Sequence, residues 1–268
     1  MNIQGKRILL TGGSSGIGLA TAQLLSERGA SLLIAGRQAD ALASAVDQLR
    51  KSGGKIDSVV ADIATQTGRS AALVAARQNL GGLDILINNA GGVRAGRIED
   101  ISENEIRAMI EVNLVAPILL AREALPLLRA SGDGLIVNVS SAIALIGVPF
   151  YATYAAVKAG IARFGEALRR ELKGEGVHVL TVYPGSTDTP MMKSNRAGPD
   201  LGFSRESPSD VAAAIVAGIE TGALEVIRGG ETRTKMIATN RENPEALDEQ
   251  FAKIKPALAD AVRDHSAL

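Results

Sequence analysis

Thr11-Gly-Gly-Ser-Ser-Gly-Ile-Gly18 follows a short apolar run near the N-terminus and opens a segment with a helical pattern. Its glycines, Gly12, Gly16 and Gly18, permit a tight turn and a close approach of the backbone to a ligand. When such a turn joins a strand to a helix, the first helical amides and the helix dipole suit a pyrophosphate. The stretch therefore predicts a nucleotide-binding βαβ unit at the start of the chain.

Two other interpretations of this stretch stay open. Its spacing is G-x-x-x-G-x-G rather than G-x-G-x-x-G, so the glycines could serve packing alone. Gly12-Gly13-Ser14-Ser15-Gly16 also matches G-x-S-x-G, the turn that carries the serine nucleophile of α/β-hydrolases. A hydrolase needs a histidine and an oxyanion segment of the HGGG type. The chain offers only His178 and His265 and lacks that segment, so a hydrolase is the less favoured interpretation.

Beyond this turn, short β-branched runs alternate with longer helical patterns along the chain. The predicted strands are Arg7–Thr11, Ser31–Ala35, Ile56–Ala61, Asp84–Asn88, Gly134–Val139, Val177–Val182 and Leu224–Arg228. The predicted helical segments are about 17–28, 38–52, 66–80, 102–130, 152–174 and 208–221. Continuous apolar runs suit strands buried on both faces. The alternation predicts an α/β fold, a Rossmann-type doubly wound parallel sheet of about seven strands flanked by helices.

No linker or repeat divides the chain, so we expect one domain over residues 1–268. Within it, residues of about 1–130 form the cofactor half, about 131–230 the catalytic and substrate half, and 231–268 an extra tail. The tail is polar but carries four apolar residues at helical spacing, which predicts one or two amphipathic helices. These residues are Phe251, Ile254, Leu258 and Val262.

Composition excludes several classes of function. Lysine plus arginine equals aspartate plus glutamate, 29 each, so no net charge attracts nucleic acid or an anionic membrane. The absence of cysteine excludes disulfides and thiolate ligands, and two histidines make a metal site improbable. No apolar run reaches about 18 residues, and the N-terminus lacks an apolar signal region. We therefore expect a metal-free cytoplasmic protein without nucleic-acid or membrane partners.

Arg37 bears on the choice of cofactor. It follows the second predicted strand, where a carboxylate would bind the ribose 2′-hydroxyl of NAD and an arginine accommodates the 2′-phosphate of NADP. Arg37 therefore favours NADP(H) over NAD(H). The alternative is a solvated arginine at the end of a strand.

Tyr154 and Lys158 lie at positions i and i+4 of a predicted helix, so they share one face. A free phenol ionises near pH 10, and a neighbouring ammonium favours the phenolate and lowers the pKa of the tyrosine. Such a tyrosine can act as a general acid or base. A tyrosine and a lysine at this spacing are otherwise a surface pair.

Taken together, these residues resemble the short-chain dehydrogenases/reductases from about Lys6 to Val226. Thr11–Gly18 looks like the family's cofactor turn, and Asn88-Asn89-Ala90-Gly91 like its motif after the fourth strand. Ser141 lies 13 residues before Tyr154, the usual family spacing, which favours Ser141 over Ser140 and Tyr154 over Tyr151. The cofactor contacts that the turn, the strand ends and the resemblance together imply are Gly12, Ser14, Ser15, Gly16, Ile17, Gly18, Arg37, Asp62, Ile63, Asn89, Ala90, Gly91, Tyr154, Lys158, Pro184, Gly185, Thr187 and Thr189.

The resemblance also implies a catalytic tetrad of Asn113, Ser141, Tyr154 and Lys158. Ser141 would bind the substrate oxygen, Tyr154 would transfer the proton, Lys158 would bind the nicotinamide ribose, and Asn113 would hold a water that links the lysine to solvent. The alternatives are a helix-bend role for Asn113 and a strand-end cap for Ser141.

Three departures from the family pattern matter. Ser15 is neutral where NADP-dependent members are often basic, and Thr187 stands where valine is common. The usual Val-Asp-Gly-Gly ending is absent, since Leu224–Gly230 is followed by the polar tail. This last departure weakens the expectation of a homotetramer and leaves a homodimer through the long fifth and sixth helices as the alternative.

The sequence thus predicts an oxidoreductase that transfers a hydride between NADP(H) and a carbonyl or secondary alcohol. The alternatives are an NAD-linked alcohol dehydrogenase and a non-catalytic nucleotide-sensing relative. A hydrophobic pocket is expected from Ile143, Leu145, Val148, Phe150, Met191 and Met192. Arg94 and Arg97 are candidates to meet an anionic substrate or solvent. The irregular stretch Ser186–Ser207 predicts a mobile lid over the pocket.

Overall fold

The computed structural model describes residues 1–51 and 53–268. At its centre is a seven-stranded sheet in the order β3-β2-β1-β4-β6-β7-β8, with every neighbouring pair parallel. Its strands are β1 (Arg7–Thr11), β2 (Ser31–Gly36), β3 (Lys55–Val60), β4 (Ile85–Asn88), β6 (Gly134–Val139), β7 (Val177–Tyr183) and β8 (Glu225–Ile227). Two short strands, β5 (Val93–Arg94) and β9 (Ser266–Ala267), pair antiparallel beside it. The Rossmann-type prediction is confirmed.

Helices cover both faces of this sheet. They are α1 (Gly16–Glu27), α2 (Ala39–Arg50), α3 (Gln66–Ala75), α4 (Glu103–Ile110), α5 (Ala116–Ala130), α6 (Ala152–Glu171), α7 (Pro208–Thr221), α8 (Gly230–Glu242) and α9 (Pro244–Val262). Alternate residues of a strand point to opposite faces. Accordingly, Ile8 and Leu10 of β1 pack in one core with α1, α2 and α7, while Leu9 packs in the other with α3, α5 and α6.

The order of the strands reverses between β1 and β4. Chain connections run outward from β1 to β2 and β3, and from β4 to β6, β7 and β8 on the other side. In open α/β sheets, the carboxyl ends of the strands at such a reversal border a crevice that binds ligands. The glycine turn after β1 and the segment after β4 both lie at this place.

Several helix boundaries differ from the sequence prediction. The segment predicted as one helix at 102–130 is α4, a π-helical turn at Glu111–Val115, and α5. The segment predicted at 66–80 likewise passes from α3 into a π-helical turn at Ala76–Leu80. The segment predicted at 38–52 ends as α2 at Arg50, and residue 52 lies outside the described residues. A single π turn inside an α-helix has no residue preference that distinguishes it from the α-helix around it, so the sequence pattern did not predict it.

The two outer strands are not buried on both faces, contrary to expectation. Every residue of β4 and β6 is buried, whereas Val60 in β3 is 58% exposed and Ile227 in β8 is 46% exposed. These strands lie at the edges of the sheet, where fewer neighbours cover them.

The tail does form amphipathic helices, as predicted. Helices α8 and α9 make a hairpin, and α9 buries Leu247, Leu258 and Val262. The chain then returns to the sheet, where Ser266 and Ala267 of β9 pair with β5. The tail is therefore brought back to the carboxyl edge of the sheet, next to the crevice.

Candidate active site

A cavity of about 570 Å³ opens at the carboxyl edge of the sheet. Every residue that the sequence predicted to contact the cofactor lines it, and so do Ser141, Tyr154 and Lys158. Asn113 does not line the cavity and lies behind its wall, 2% exposed. The structure thus brings together residues from the ends of six strands.

The glycine turn forms the floor of the cavity under the end of β1. Gly12 and Gly16 have φ of +70° and +53°, which side chains disfavour. A Cβ on Gly18 would lie 2.1 Å from the Gly12 carbonyl oxygen, so the turn tolerates no side chain there. These restraints explain why glycine occupies the three positions.

The start of α1 has amides available for an anion. Its N-cap residue, Ser15, makes no side-chain capping hydrogen bond. The Leu19 amide donates to the Ser15 carbonyl, so the amides before it precede the helical ladder. No acidic side chain lies in the first turn. Uncapped amides beside a glycine-rich turn fit the pyrophosphate of a dinucleotide.

Asn89 and Thr11 bind the segment after β4 to the glycine turn. The Asn89 side-chain amide donates to the carbonyls of Thr11 and Gly12 at 3.0 and 3.1 Å. The Thr11 hydroxyl accepts from the Asn89 and Ala90 amides, both at 3.1 Å. The cavity wall at Asn89 and Ala90 is therefore fixed to its floor.

Arg37 lies at the end of the cavity formed after β2 and β3. Its side chain is exposed and, among the described residues, forms no hydrogen bond or ion pair. Asp62 nearby accepts a hydrogen bond from the Ala64 amide at 3.0 Å. The residues that follow β2 directly, Arg37 and Gln38, include no carboxylate, so nothing there opposes a phosphate beside Arg37.

Tyr154 and Lys158 lie in the first two turns of α6, next to the end of β6. Lys158 is 5% exposed, and its Nζ donates to the Val139 carbonyl at 3.1 Å. The same Nζ lies 5.7 Å from the centroid of the Tyr154 ring. The Ser140 hydroxyl donates to the Lys158 carbonyl at 2.7 Å, which fixes α6 to the strand end. The Ser140 hydroxyl is thus used within the fold, whereas Ser141 lines the cavity with Tyr154 and acts to lower the pKa of Tyr154.

Burial dominates the acid–base properties of this pair. It raises the pKa of Tyr154 to about 12, although the Ser141 side chain acts in the opposite direction. It lowers the pKa of Lys158 to about 8. The i, i+4 spacing predicts that Lys158 lowers the pKa of the tyrosine, but desolvation of the phenol has the larger effect and the pKa is raised.

Asn113 lies in the π-helical turn between α4 and α5. Its amide donates to the carbonyls of Gly92 and Met109 at 2.8 and 2.9 Å. A Cβ on Gly91 would lie 2.6 Å from Asn113 Oδ1 and 3.5 Å from Lys158 Nζ, so Gly91 allows both side chains to approach one point. Asn113 therefore lies at the helix bend and also close to Lys158. Its position is compatible with both interpretations, a helix-bend role and membership of the predicted tetrad.

Tyr151, the rival of Tyr154, has a structural environment. It is 4% exposed, its hydroxyl accepts from Asn195 Nδ2 at 2.8 Å, and its ring packs 6.0 Å from those of Phe203 and His265. Burial raises the pKa of its hydroxyl. Tyr151 therefore joins the segment after β7 to the tail.

The segment from Pro184 forms the opposite wall. Glu206 accepts from the Gly185 amide at 3.2 Å and pairs with Arg228 at 2.8 Å, which joins the two ends of the predicted lid. The lid is also bound to the tail: the Arg196 amide donates to Ala261, and the Ser194 hydroxyl lies 3.1 Å from His265 Nδ1.

Four of the six predicted pocket residues line the cavity, namely Ile143, Val148, Met191 and Met192. Leu145 and Phe150 do not, so their assignment to the wall was wrong. The candidates for an anionic substrate are also elsewhere: Arg94 pairs with Glu105 at 3.0 Å, and the exposed Arg97 approaches Glu99. An irregular loop pattern does not reveal which side chains face inward.

Sequence reasoning missed the contribution of the tail to the cavity. The tail residues that line it are Arg233, Met236, Phe251, His265, Ala267 and Leu268. Helical spacing marked Phe251 as apolar without showing what it contacts. His265 is 1% exposed, and burial lowers its pKa to about 4, so its imidazole is neutral at pH 7.

Comparisons with known proteins agree with this geometry. The short chain dehydrogenase family model matches residues 6–200. Ketoacyl reductase HetN of Nostoc sp. is 33% identical over 92% of the chain and 88% of its own length. The 3-oxoacyl-[acyl-carrier-protein] reductase FabG of Vibrio cholerae is 36% identical over 72% of the chain and 78% of its own length.

Two solved structures have the same fold. A variant of actinorhodin polyketide ketoreductase with NADPH superposes with a TM-score of 0.78 at 27% identity, covering 84% of this chain and 96% of that one. A short chain dehydrogenase from Burkholderia cenocepacia with NADP also has a TM-score of 0.78, at 32% identity and with coverage of 86% and 98%. The chain belongs to the short-chain dehydrogenase/reductase family, oxidoreductases that act on C=O or CH–OH groups.

Proposed function

We propose that the protein reduces a carbonyl group, or oxidises the corresponding secondary alcohol, with NADP(H). The observation that carries this proposal is the position of Tyr154 at the wall of a cavity with a glycine turn at its floor, with Ser141 lining the same cavity and Lys158 one turn later. The nicotinamide, when bound, supplies or accepts the hydride. The relatives named as ketoacyl reductases support the carbonyl class.

The side chains divide the remaining work. Ser141 holds the substrate oxygen by a hydrogen bond, and Tyr154 donates its proton to that oxygen in reduction or removes it in oxidation. Lys158 supplies a buried positive charge that stabilises the tyrosinate left after the proton leaves. Asn113, behind Gly91, orients a solvent path by which Lys158 recovers a proton. The walls exclude water from the reacting centre.

Tyr154→Phe tests the assignment of the acid. The ring stays and the transferable proton is lost, so turnover of ketones should fall ~10²–10⁴-fold while NADPH affinity is retained. Steady-state absorbance of reduced nicotinamide measures turnover, and fluorescence titration measures affinity. Tyr151→Phe is the matched control and should keep its turnover. The assignment is wrong if the Tyr154 variant works normally or if the Tyr151 variant alone fails.

Arg37 tests the choice of cofactor. We propose that its free guanidinium binds the 2′-phosphate, so NADPH should raise the melting temperature more than NADH at equal concentration. Ligand at about 100 times its dissociation constant adds ~2.7 kcal/mol. Arg37→Ala should weaken the binding of NADPH alone, and the difference between the melting-temperature increases with NADPH and with NADH should become smaller. Equal stabilisation of the unaltered protein by both cofactors would instead favour an NAD-linked dehydrogenase.

We also propose that the protein is a homodimer or homotetramer. Ile110, at the end of α4, is 37% exposed. Leu224 and Ile227 expose apolar surface at the edge strand β8. Light scattering after size exclusion distinguishes a dimer from a tetramer, and a monomer would contradict the proposal.

A further inference from the structure

Arg233, in the first turn of α8, lines the cavity, and its guanidinium has no ion-pair partner among the described residues. The charged side chains that line the cavity in the described part of the chain are Arg37, Asp62, Lys158 and Arg233. Arg37 and Asp62 lie after β2 and β3, and Lys158 lies beside Tyr154. Arg233 alone comes from the tail. Neither the turn motif nor the tyrosine–lysine pair accounts for it.

The other arginines of the lid and tail are paired with carboxylates or exposed to solvent, which makes the half-buried Arg233 distinct. Arg196, Arg205 and Arg263 each lie within 4 Å of an aspartate, and Arg241 is exposed. Arg228, just before the tail, pairs with Glu206 at 2.8 Å. Arg233 forms no ion pair or side-chain hydrogen bond with any residue that the structure describes. Burial lowers the pKa of its guanidinium, and no carboxylate contributes to the shift. A desolvated cation without a counterion is costly unless a ligand neutralises it.

Two other tail residues that line the cavity with Arg233 are apolar. Met236 follows at i+3 on the same helix face, and Phe251 faces the cavity from α9. The Arg233 side chain packs over Gly229, where a Cβ would lie 2.9 Å from Arg233 Cβ and 3.3 Å from its Nε. The glycine therefore makes room for the arginine.

The rest of this end of the cavity extends the apolar surface toward the reacting centre. Its lid residues are Met191, Met192, Leu201 and Phe203, and its other walls include Ile143 and Val148. Among the described lining residues the only carboxylate side chain is Asp62, at the far end. An anion at Arg233 thus meets attraction and no opposing side-chain charge. A guanidinium suits a carboxylate or phosphate in particular, because it can donate two parallel hydrogen bonds.

We propose that Arg233 is a specificity-determining residue that binds the carboxylate or phosphate of an amphipathic carbonyl substrate. The apolar chain of the substrate lies along the lid and the α8–α9 hairpin, and its carbonyl reaches Tyr154. This inference rests on the proposed function, and it names the class of substrate: an anionic group separated from the carbonyl by an apolar chain.

The test uses a series of medium-chain keto acids, their methyl esters and the simple methyl ketones of equal length. In the unaltered protein the acid of a given length should have the lowest KM. Arg233→Gln should raise the KM of the acid relative to its ester by about tenfold or more, since a hydrogen bond to a charged group is lost. Arg233→Lys should restore part of the difference. Lys235→Gln removes an exposed charge from the same helix and should change neither the KM of the acid nor the KM of the ester.

Two further measurements distinguish a substrate-binding arginine from a cofactor-binding or structural one. Fluorescence titration with NADPH should give the same dissociation constant for the Arg233→Gln variant, whereas a selective loss of NADPH affinity would assign Arg233 to a cofactor phosphate and overturn the proposal. The melting temperature of the variant should not fall, because the lost cation has no protein partner. A fall in stability with unchanged acid-to-ester selectivity would show a structural role instead.

Failure of the proposed function has a different signature. If no ketone is reduced, calorimetric binding of the same acids and esters still tests Arg233, since selective binding of the acid by the unaltered protein and not by Arg233→Gln needs no turnover. If ketones are reduced and the acid is not favoured over its ester, the proposed function stands and the assignment of Arg233 is wrong.

Discussion

At the scale of single residues, the site depends on two buried titratable groups whose charged forms are disfavoured by burial. Tyr154 has a pKa of about 12 and Lys158 of about 8, both because desolvation penalises the charged form. A tyrosine that holds its proton at pH 7 is a competent donor to a developing alkoxide. In the proposed reaction Lys158 is charged when the proton leaves, which would link catalysis to the protonation of the lysine.

The lowered pKa of Lys158 predicts a rise in stability with pH. In the unfolded chain lysine keeps its proton up to its usual pKa of 10.5, whereas the folded protein loses it near 8. Between these values the unfolded state binds more protons, so the free energy of unfolding increases as pH rises. From pH 8 to 10 this lysine contributes about 2 kcal/mol. Tyr154 acts with the opposite sign only above pH 10, where the unfolded phenol ionises first.

Urea unfolding at pH 8, 9 and 10 checks this expectation. The unaltered protein should gain about 2 kcal/mol over Lys158→Met across the range, because all other groups titrate in both proteins. Lys173→Met, at an exposed lysine just after α6, is the control and should follow the unaltered protein. If the free energy of unfolding changes with pH in the same way in the unaltered protein and in Lys158→Met, Lys158 stays charged in the folded protein.

At the scale of elements, the lid between β7 and α7 is the least regular wall of the site. Short 3₁₀ turns at Pro190–Met192 and Pro199–Leu201 place its apolar residues toward the cavity. The Glu206 contacts join its two ends, and Arg196 contacts α9. A lid attached in this way can move only if its few contacts to the tail open. Mobility of the lid therefore stays a prediction.

We expect the lid to close when both NADPH and a ketone are bound. We also expect it to set the preference for the chain length of the substrate. Its amides should gain protection from hydrogen exchange when NADPH and a ketone are added together. Replacing both Met191 and Met192 by alanine should change KM across a ketone series more than it lowers the melting temperature, since both are half-buried and line the cavity.

Met109→Ala is the control for the double variant of Met191 and Met192. Met109 is fully buried and should show the stability loss of a core residue, ~2–5 kcal/mol. If the double variant of the lid loses as much stability and keeps its KM values, its methionines are core residues. A lid that is protected equally without ligands would contradict the prediction of closure.

At the scale of the whole molecule, we propose that residues 1–268 unfold as one unit, with the tail as part of it. The tail pairs with β5 through β9, buries Leu258 and Val262, and contacts the lid through Arg196 and Ser194. Contacts of this kind join the tail to the cooperative core. None of the helices in the described residues is long and apolar enough to span a membrane.

Urea unfolding followed by circular dichroism and by hydrogen exchange of α9 tests this proposal. Both signals should change at one denaturant concentration. Arg196→Ala removes side-chain contacts of the lid with α9 and should lower that midpoint without splitting the transition. An earlier separate transition of α9 would show that the tail folds as an independent appendage.

Local features of the sequence were enough to predict the architecture and the family. The glycine turn, the i, i+4 tyrosine and lysine, and the alternation of strands with helices each depend on neighbours in the chain, and short-range geometry relates them to structure directly. The same holds for Arg37, which follows its strand by one residue. For this reason the predicted cofactor residues all line one cavity.

Tertiary structure alone decided what closes that cavity. The π turn at Asn113, the pKa shift of Tyr154 and the position of Arg233 depend on packing between segments distant in sequence. The tail reaches the site because β9 pairs with β5, although more than 170 residues separate Arg94 from Ser266. Two-residue strands carry too little pattern to be predicted, and burial of a charge is a property of its surroundings. The sequence by itself therefore determined the fold and the oxidoreductase family, whereas the tertiary structure decided that the tail lines the cavity, because that contact depends on packing between distant segments.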